Sequence, residues 1–344
     1  MMTDEEFGRH LTAGDEAAVA EAVRHDPTRA TRNLDPDGGD AGWPLRIASE
    51  QGSLAVVEAL LAAGARVDRP PQYDHVSCLQ AAVMSRHFKI AHRLLDAGAA
   101  VDTHPNADQS AIQRLFTHAV DDGGVPEALV RRGMRRCLDK VPPPPDITDQ
   151  PASVRLLSRM IEAGGEVAFA SVIRHQHIGV LEDMFRQKPR ESDHCWSLSA
   201  WYGYPELLDL FRRTAPDHIN DDSPIYSIEA AVVSHNRDGS PADYLRLIRG
   251  ELEQLRRSGR LNAYIESHMM VHRTVTDYAW PRNYGYRADI FAASDVVDLI
   301  DLFEEFGFST TRIDATSGRT PLEEAHHRKE TVPVWDEVIE RLSP

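Results

Sequence analysis

The chain has 344 residues, with 42 % hydrophobic and 27 % charged side chains, a balance that excludes wholesale disorder and allows a core without disulfides. Its formal net charge of −16 repels phosphate, so nucleic acid and anionic membrane surfaces are disfavoured and a partner with a basic contact surface is favoured. Three scattered cysteines (Cys78, Cys137, Cys195), no apolar leader and no bilayer-length apolar run lead us to expect a cytoplasmic, cofactor-free protein.

Taken in chain order, residues 1–32 read as a degenerate N-terminal capping unit around Gly14. Asp35, Asp37 and Asp40 offer half of a calcium loop but lack the closing glutamate, and with Gly38 and Gly39 they read as a turn. From Trp43 the string WPLRIASEQGSLAVVEALLAAGARVD gives a short helix, a break at Gly52 and a second helix. Val56, Val57, Leu60 and Leu61 form one apolar stripe of that second helix. From Ser77 the pattern returns as SCLQAAVMSRHFKIAHRLLDAGAAVD. Leu45 to Leu79, Gly64 to Gly98 and Asp68 to Asp102 are each 34 positions apart.

Weaker copies follow. Ser110 to Gly133 ends in Leu129, Val130 and Gly133, which read as a second helix and its glycine cap. Pro142 to Pro145 cannot be helix interior and lengthen a connection, because 154–167 again reads as a second helix. Residues 173–185 read as a degenerate unit, and 195–212 and 225–258 as further helix pairs. The stretch 259–294 breaks the period, and 295–344 closes the chain with GRTPLEEA, in which Thr320 and Pro321 predict a capped helix start.

These residues resemble the ankyrin repeat, whose period is about 33 residues. The likeness is sharpest over 42–102 and 314–325, and about nine to ten units on that period would fill residues 1–344. It implies an all-α solenoid of stacked helix-turn-helix repeats with short hairpin connections. Units of 33–258 would follow the N-terminal cap, with the Pro-rich connection near 142–145, the insertion at 259–294 and the C-terminal units after it. A non-enzymatic scaffold, inhibitor or immunity-type protein is the function such a fold suggests, holding one protein partner as a monomer. In that family the hairpin tips and exposed sides of the first helices carry binding. Carried over, this implies Trp43, Arg46 and Glu50, then Tyr73, Gln80 and Met84, then Trp196, Trp201 and Tyr202, with His326 and His327 in the last unit.

The aperiodic insertion concentrates Tyr264, Tyr278, Trp280, Tyr284 and Tyr286. Aromatic residues anchor interfaces, so Trp280, Tyr284 and Tyr286 are candidate contacts, while the competing reading packs them into a local core. His268 and His272, four residues apart, would share one helix face and could chelate a metal, although Met269 stands where a zinc peptidase has its glutamate. An enzyme built in the concave cleft from such histidines and carboxylates is therefore the rival function. Cys195 reads as a buried structural thiol rather than a nucleophile.

Overall fold

The computed structural model describes residues 2–35, 42–68, 76–101, 110–187, 193–233, 239–278, 293–329 and 336–344. Among the described residues there are twenty α-helices and no strand. The chain divides into two compact units, Met1–Val180 and Leu181–Pro344.

In the first unit the helices come in antiparallel pairs. Helices α1 (Asp4–Ala13) and α2 (Glu16–His25) turn about Gly14, and α1 starts on a capping box between Thr3 and Glu6. Helix α3 (Pro44–Gln51) begins with Pro44 in its first turn and stops at Gly52. Ser53 then caps α4 (Leu54–Ala62) by accepting from Val56 N at 3.4 Å. Val56, Val57 and Leu60 are buried, as their stripe predicts, and Leu61 is half-buried. Helices α5 (Cys78–Met84) and α6 (Phe88–Asp96) repeat the arrangement, with Ser77 capping α5. Gly64 and Gly98 hold φ at +89° and +90°, and a Cβ on either would meet no other side chain. Glycine is required there by backbone conformation, not by space.

The fourth pair departs from the sequence reading. Helix α7 (Ala111–Asp121) packs on α5, and its antiparallel partner is not α8 (Glu127–Gly133) but α9 (Ala152–Glu162), which also packs on α6. Ser153 donates to Asp122 Oδ2 at 2.5 Å across the pair, and Arg159 donates to His92 O of α6 at 3.1 Å. Residues 122–151, including α8 and the four prolines, are thus inserted between the two helices of one pair. Gly133 is no left-handed cap. Its carbonyl accepts from Val167 N at 2.9 Å, and a Cβ there would lie 2.5 Å from Val167 Cγ2. The insertion is pinned by arginines. Arg135 donates to the carbonyls of Ile161 and Gly164, at 3.2 and 2.7 Å, at the C-terminal end of α9, where its charge also meets the negative end of the helix dipole. Helix α10 (Phe169–Arg174) packs on α7 and leads into α11 (Ile178–Gln187), within which the division between units falls.

In the second unit α12 (Asp193–Tyr202) pairs with α13 (Pro205–Thr214), and α14 (Ser223–Val233) with α15 (Pro241–Arg257). Helix α16 (Leu261–Ser267) follows α15. A composite of α17 (Met270–Arg273) and the π-turn Thr274–Tyr278 then packs on α18 (Ala293–Glu305). Helices α19 (Pro321–Lys329) and α20 (Asp336–Leu342) complete it. The predicted start at Thr320 is present as a capping box: Thr320 N donates to Glu323 Oε2 at 2.8 Å and Glu323 N to Thr320 Oγ1 at 3.2 Å.

Candidate functional site

Aligning α3, α5 and α7 on their cores separates three kinds of position. Leu45, Leu79 and Ile112 are buried, as are Ala48, Ala82 and Leu115, and Ser49, Val83 and Phe116. One residue further, Glu50 and Met84 are exposed and Thr117 is half-buried, so this position forms an outward row. Arg46, Gln80 and Gln113 occupy the third position, where a polar side chain enters the protein. Gln113 shows why: its amide donates to Glu166 O at 2.8 Å and its oxygen accepts from Ala168 N and Ser171 Oγ, at 3.0 and 2.8 Å. It bridges α7 to the start of α10.

The expected contact residues divide accordingly. Glu50 and Met84 (48 % exposed) stand on the outward row, Trp43 is half-buried at the start of α3, and Arg46 lies 3.6 Å from Glu50. Gln80, at 3 % exposure, is inside the protein in the bridging position. Trp196 is also inside, at 5 %. Its indole N–H donates to Ser223 O at 3.0 Å, its ring meets Phe211 edge-on, and the Arg212 guanidinium covers it at 5.2 Å. Tyr202 is buried beside Tyr204, Trp201 is half-buried, and His326 and His327 are exposed on α19. Tyr73, Trp280, Tyr284 and Tyr286 lie outside the described residues.

Sequence reasoning missed the polar group that continues the outward row on α7. Arg86 pairs with Asp122 at 2.7 Å, and the Ser153 hydroxyl and Arg86 together hold the Asp122 carboxyl below its ordinary range. Burial lowers the His118 pKa, with Arg86 adding to the effect and Asp121 and Asp122 opposing it. Thr117 Oγ1 lies 3.5 Å from His175 Nε2. Extending the interval from Met84 to Thr117 and His118 would have found this group.

The histidine pair resolves differently from its spacing. His268 has an extended backbone (φ −123°, ψ 140°) that ends α16, whereas His272 belongs to α17, so the two share no helix face. His268 Nε2 lies 3.2 Å from Glu229 Oε1, and Arg273 donates to the same oxygen at 3.1 Å. His272 is buried, with Nε2 3.3 Å from Ser317 Oγ. Ser267 Oγ lies 2.7 Å from His268 Nδ1, but the same hydroxyl is 2.7 Å from Ala263 O, the back-bond expected of a helical serine. Stacked on His268, with ring centroids 4.3 Å apart, is Tyr264, whose buried hydroxyl has no hydrogen-bond partner among the described residues. Burial and the Glu229 charge raise its pKa. No group of three or more His, Cys, Asp or Glu able to hold a metal ion occurs among the described residues.

One carboxyl elsewhere in this unit is strongly perturbed. Glu251 on α15, 1 % exposed, accepts from Arg212 of α13, and burial pushes its pKa up to about 7 against the opposing pull of Arg212. None of the described helices is long and apolar enough to cross a membrane.

No protein-family model matches the chain, and no curated protein matches it in sequence. Among solved structures, the crystal structure of a human ASB11 ankyrin repeat domain aligns at 17 % identity. That alignment covers 87 % of this chain and 96 % of the other, with a TM-score of 0.27.

Proposed function

We propose that the chain is a non-enzymatic interaction module of the ankyrin type, holding one protein partner against the outward row of its first helices and the hairpin tips beside it. The register of α3, α5 and α7 carries this reading. Eight of the nine aligned inward residues are apolar, Ser49 being the exception, while the outward position runs Glu50, Met84, Thr117, with unlike chemistry at each step. A frame that keeps its core positions alike and varies one exposed position presents a surface, not a single reaction centre.

The net charge of −16 favours a partner with a basic contact face, and fits a cytoplasmic monomer acting as a scaffold, inhibitor or immunity-type protein. An enzyme centred on His268 has less support. Its ring nitrogens face Ser267, Tyr264 O and Glu229, and the Ser267 hydroxyl is engaged by its own helix.

Affinity capture with the tagged full chain from native lysate, at low and moderate salt, tests the reading. We expect one protein in near-stoichiometric amount, weakened by salt and lost when Glu50→Arg is combined with Met84→Asp. An empty capture, or one unchanged in the double variant, would overturn it.

A further inference from the structure

We infer that the four-proline run of the α7–α9 insertion is a preformed polyproline II ridge that docks into the aromatic-lined groove of a partner protein. The inference is independent of the outward row of the first helices.

The conformation follows from the residues. Each proline fixes φ near −65°, and each of Val141 to Pro144 is followed by a proline, which drives it out of the α region. No peptide bond of the described residues is cis. The remaining option is the polyproline II helix, with three residues per turn and no internal hydrogen bonds. A period of three predicts that Pro142 and Pro145 share one edge, Val141 and Pro144 a second, and Lys140, Pro143 and Asp146 a third.

Observed burial follows that period. Pro142 and Pro145 are half-buried, whereas Val141 (42 % exposed), Pro144, Lys140, Pro143 and Asp146 are all exposed. One edge therefore rests on the protein and two face outward. The ridge is tied down at its start and closed by a local turn at its end. The Arg132 guanidinium donates to Pro142 O at 3.0 Å, behind a buried Leu138. Beyond Pro145, Asp146 Oδ1 accepts from Thr148 N and Oγ1 at 3.0 and 2.7 Å and turns the chain away.

A spacer would need only the prolines' stiffness. Here an apolar edge of Val141 and Pro144 is turned to solvent beside a charged edge carrying Lys140 and Asp146. Aromatic-lined grooves of the SH3, WW and EVH1 kind recognise such a ridge, because its backbone is ordered before binding and little entropy is lost. This chemistry commits the occupant to a proline-reading protein module. A lipid surface or nucleic acid would offer no such slots.

The test uses the full chain, titrated against purified EVH1, SH3 and WW domains as probes, with the tryptophan fluorescence of each groove as readout. We expect saturable binding to at least one probe. It should weaken about tenfold or more in Val141→Asp/Pro144→Glu, and severalfold in the milder Pro144→Ala, while Pro142→Ala on the inner edge and Glu50→Arg/Met84→Asp bind as the parent does. Thermal unfolding of each variant separates lost docking from lost folding. No saturable binding to any of the three classes, or equal binding by the Val141/Pro144 and Pro142 variants, would overturn the proposal.

Discussion

Gln176 holds φ at +51°, in the left-handed region, at the corner between α10 and α11. The same corner is made by Gly52 between α3 and α4 and by Gly203 between α12 and α13, at φ +90° and +76°. A side chain in this conformation costs about 1 kcal/mol relative to glycine, so Gln176→Gly should raise the urea midpoint by a corresponding amount. Arg86, at φ +60°, should gain less from the same change, because its 2.7 Å pair with Asp122 would go. A lower midpoint for Gln176→Gly would contradict the strain argument. Glu251 gives a pH prediction. Its folded pKa is about 7, above the ordinary carboxylate value, so its contribution to stability is fully present at low pH and fades as pH rises from about 4.5 through 7. Glu251→Gln keeps an acceptor for Arg212 without the charge. The difference in melting temperature between variant and parent should grow in the variant's favour from pH 5 to 7 and level off above, whereas parallel curves would refute the assignment. At this scale the outward placement of Glu50 and Met84 was legible from register alone. Gln80, Trp196 and Tyr202 were not, because periodicity within a helix does not reveal what the next pair lays over it.

At the scale of elements, the fourth pair of the first unit shows where local signals stop. Gly123 and Gly124 follow α7 at positive φ, and the prolines exclude a helix from 142 to 145 as their run predicts. What local pattern could not supply was the choice of partner, since α8 and α9 are both apolar on one face. Packing decided it: α9 has eleven residues, enough to lie along both α6 and α7, and α8 has seven. Two substitutions test this arrangement. Gln113→Ala would leave Glu166 O and Ala168 N without their buried partner and should cost about 2 kcal/mol or more. Gly133→Ala forces a methyl onto Val167 and should cost about 1–3 kcal/mol. If Gly133 were instead the left-handed cap of a second helix, Gly133→Ala would cost only about 1 kcal/mol and Gly133→Asn less still, whereas against Val167 the larger Asn should cost more than Ala. These changes are read by chemical denaturation of the full chain.

At the scale of the whole molecule, each unit ties its second helices together with arginine–carboxylate pairs. In the first unit Arg93 meets Glu58 at 2.7 Å and Arg159 meets Asp96; in the second, Arg246 meets Glu206, and Arg341 meets Asp301 and Glu304. These pairs are largely solvent-exposed, and each is worth no more than about 1 kcal/mol. They matter more for placement, since they tie second helix to second helix and leave the outward row of the first helices outside the cross-links. Helix pairing was legible over 43–102, where the 34-residue interval writes the same core twice. The insertions were legible only as breaks, since their contacts are made once and leave no period to detect. The central claim, that the outward row of the first helices binds a protein, is tested most directly by hydrogen exchange on the captured complex. We predict that binding slows exchange at the C-terminal ends of α3, α5 and α7 and leaves α4, α6 and α9 unchanged. Slowing confined to those second helices would contradict it.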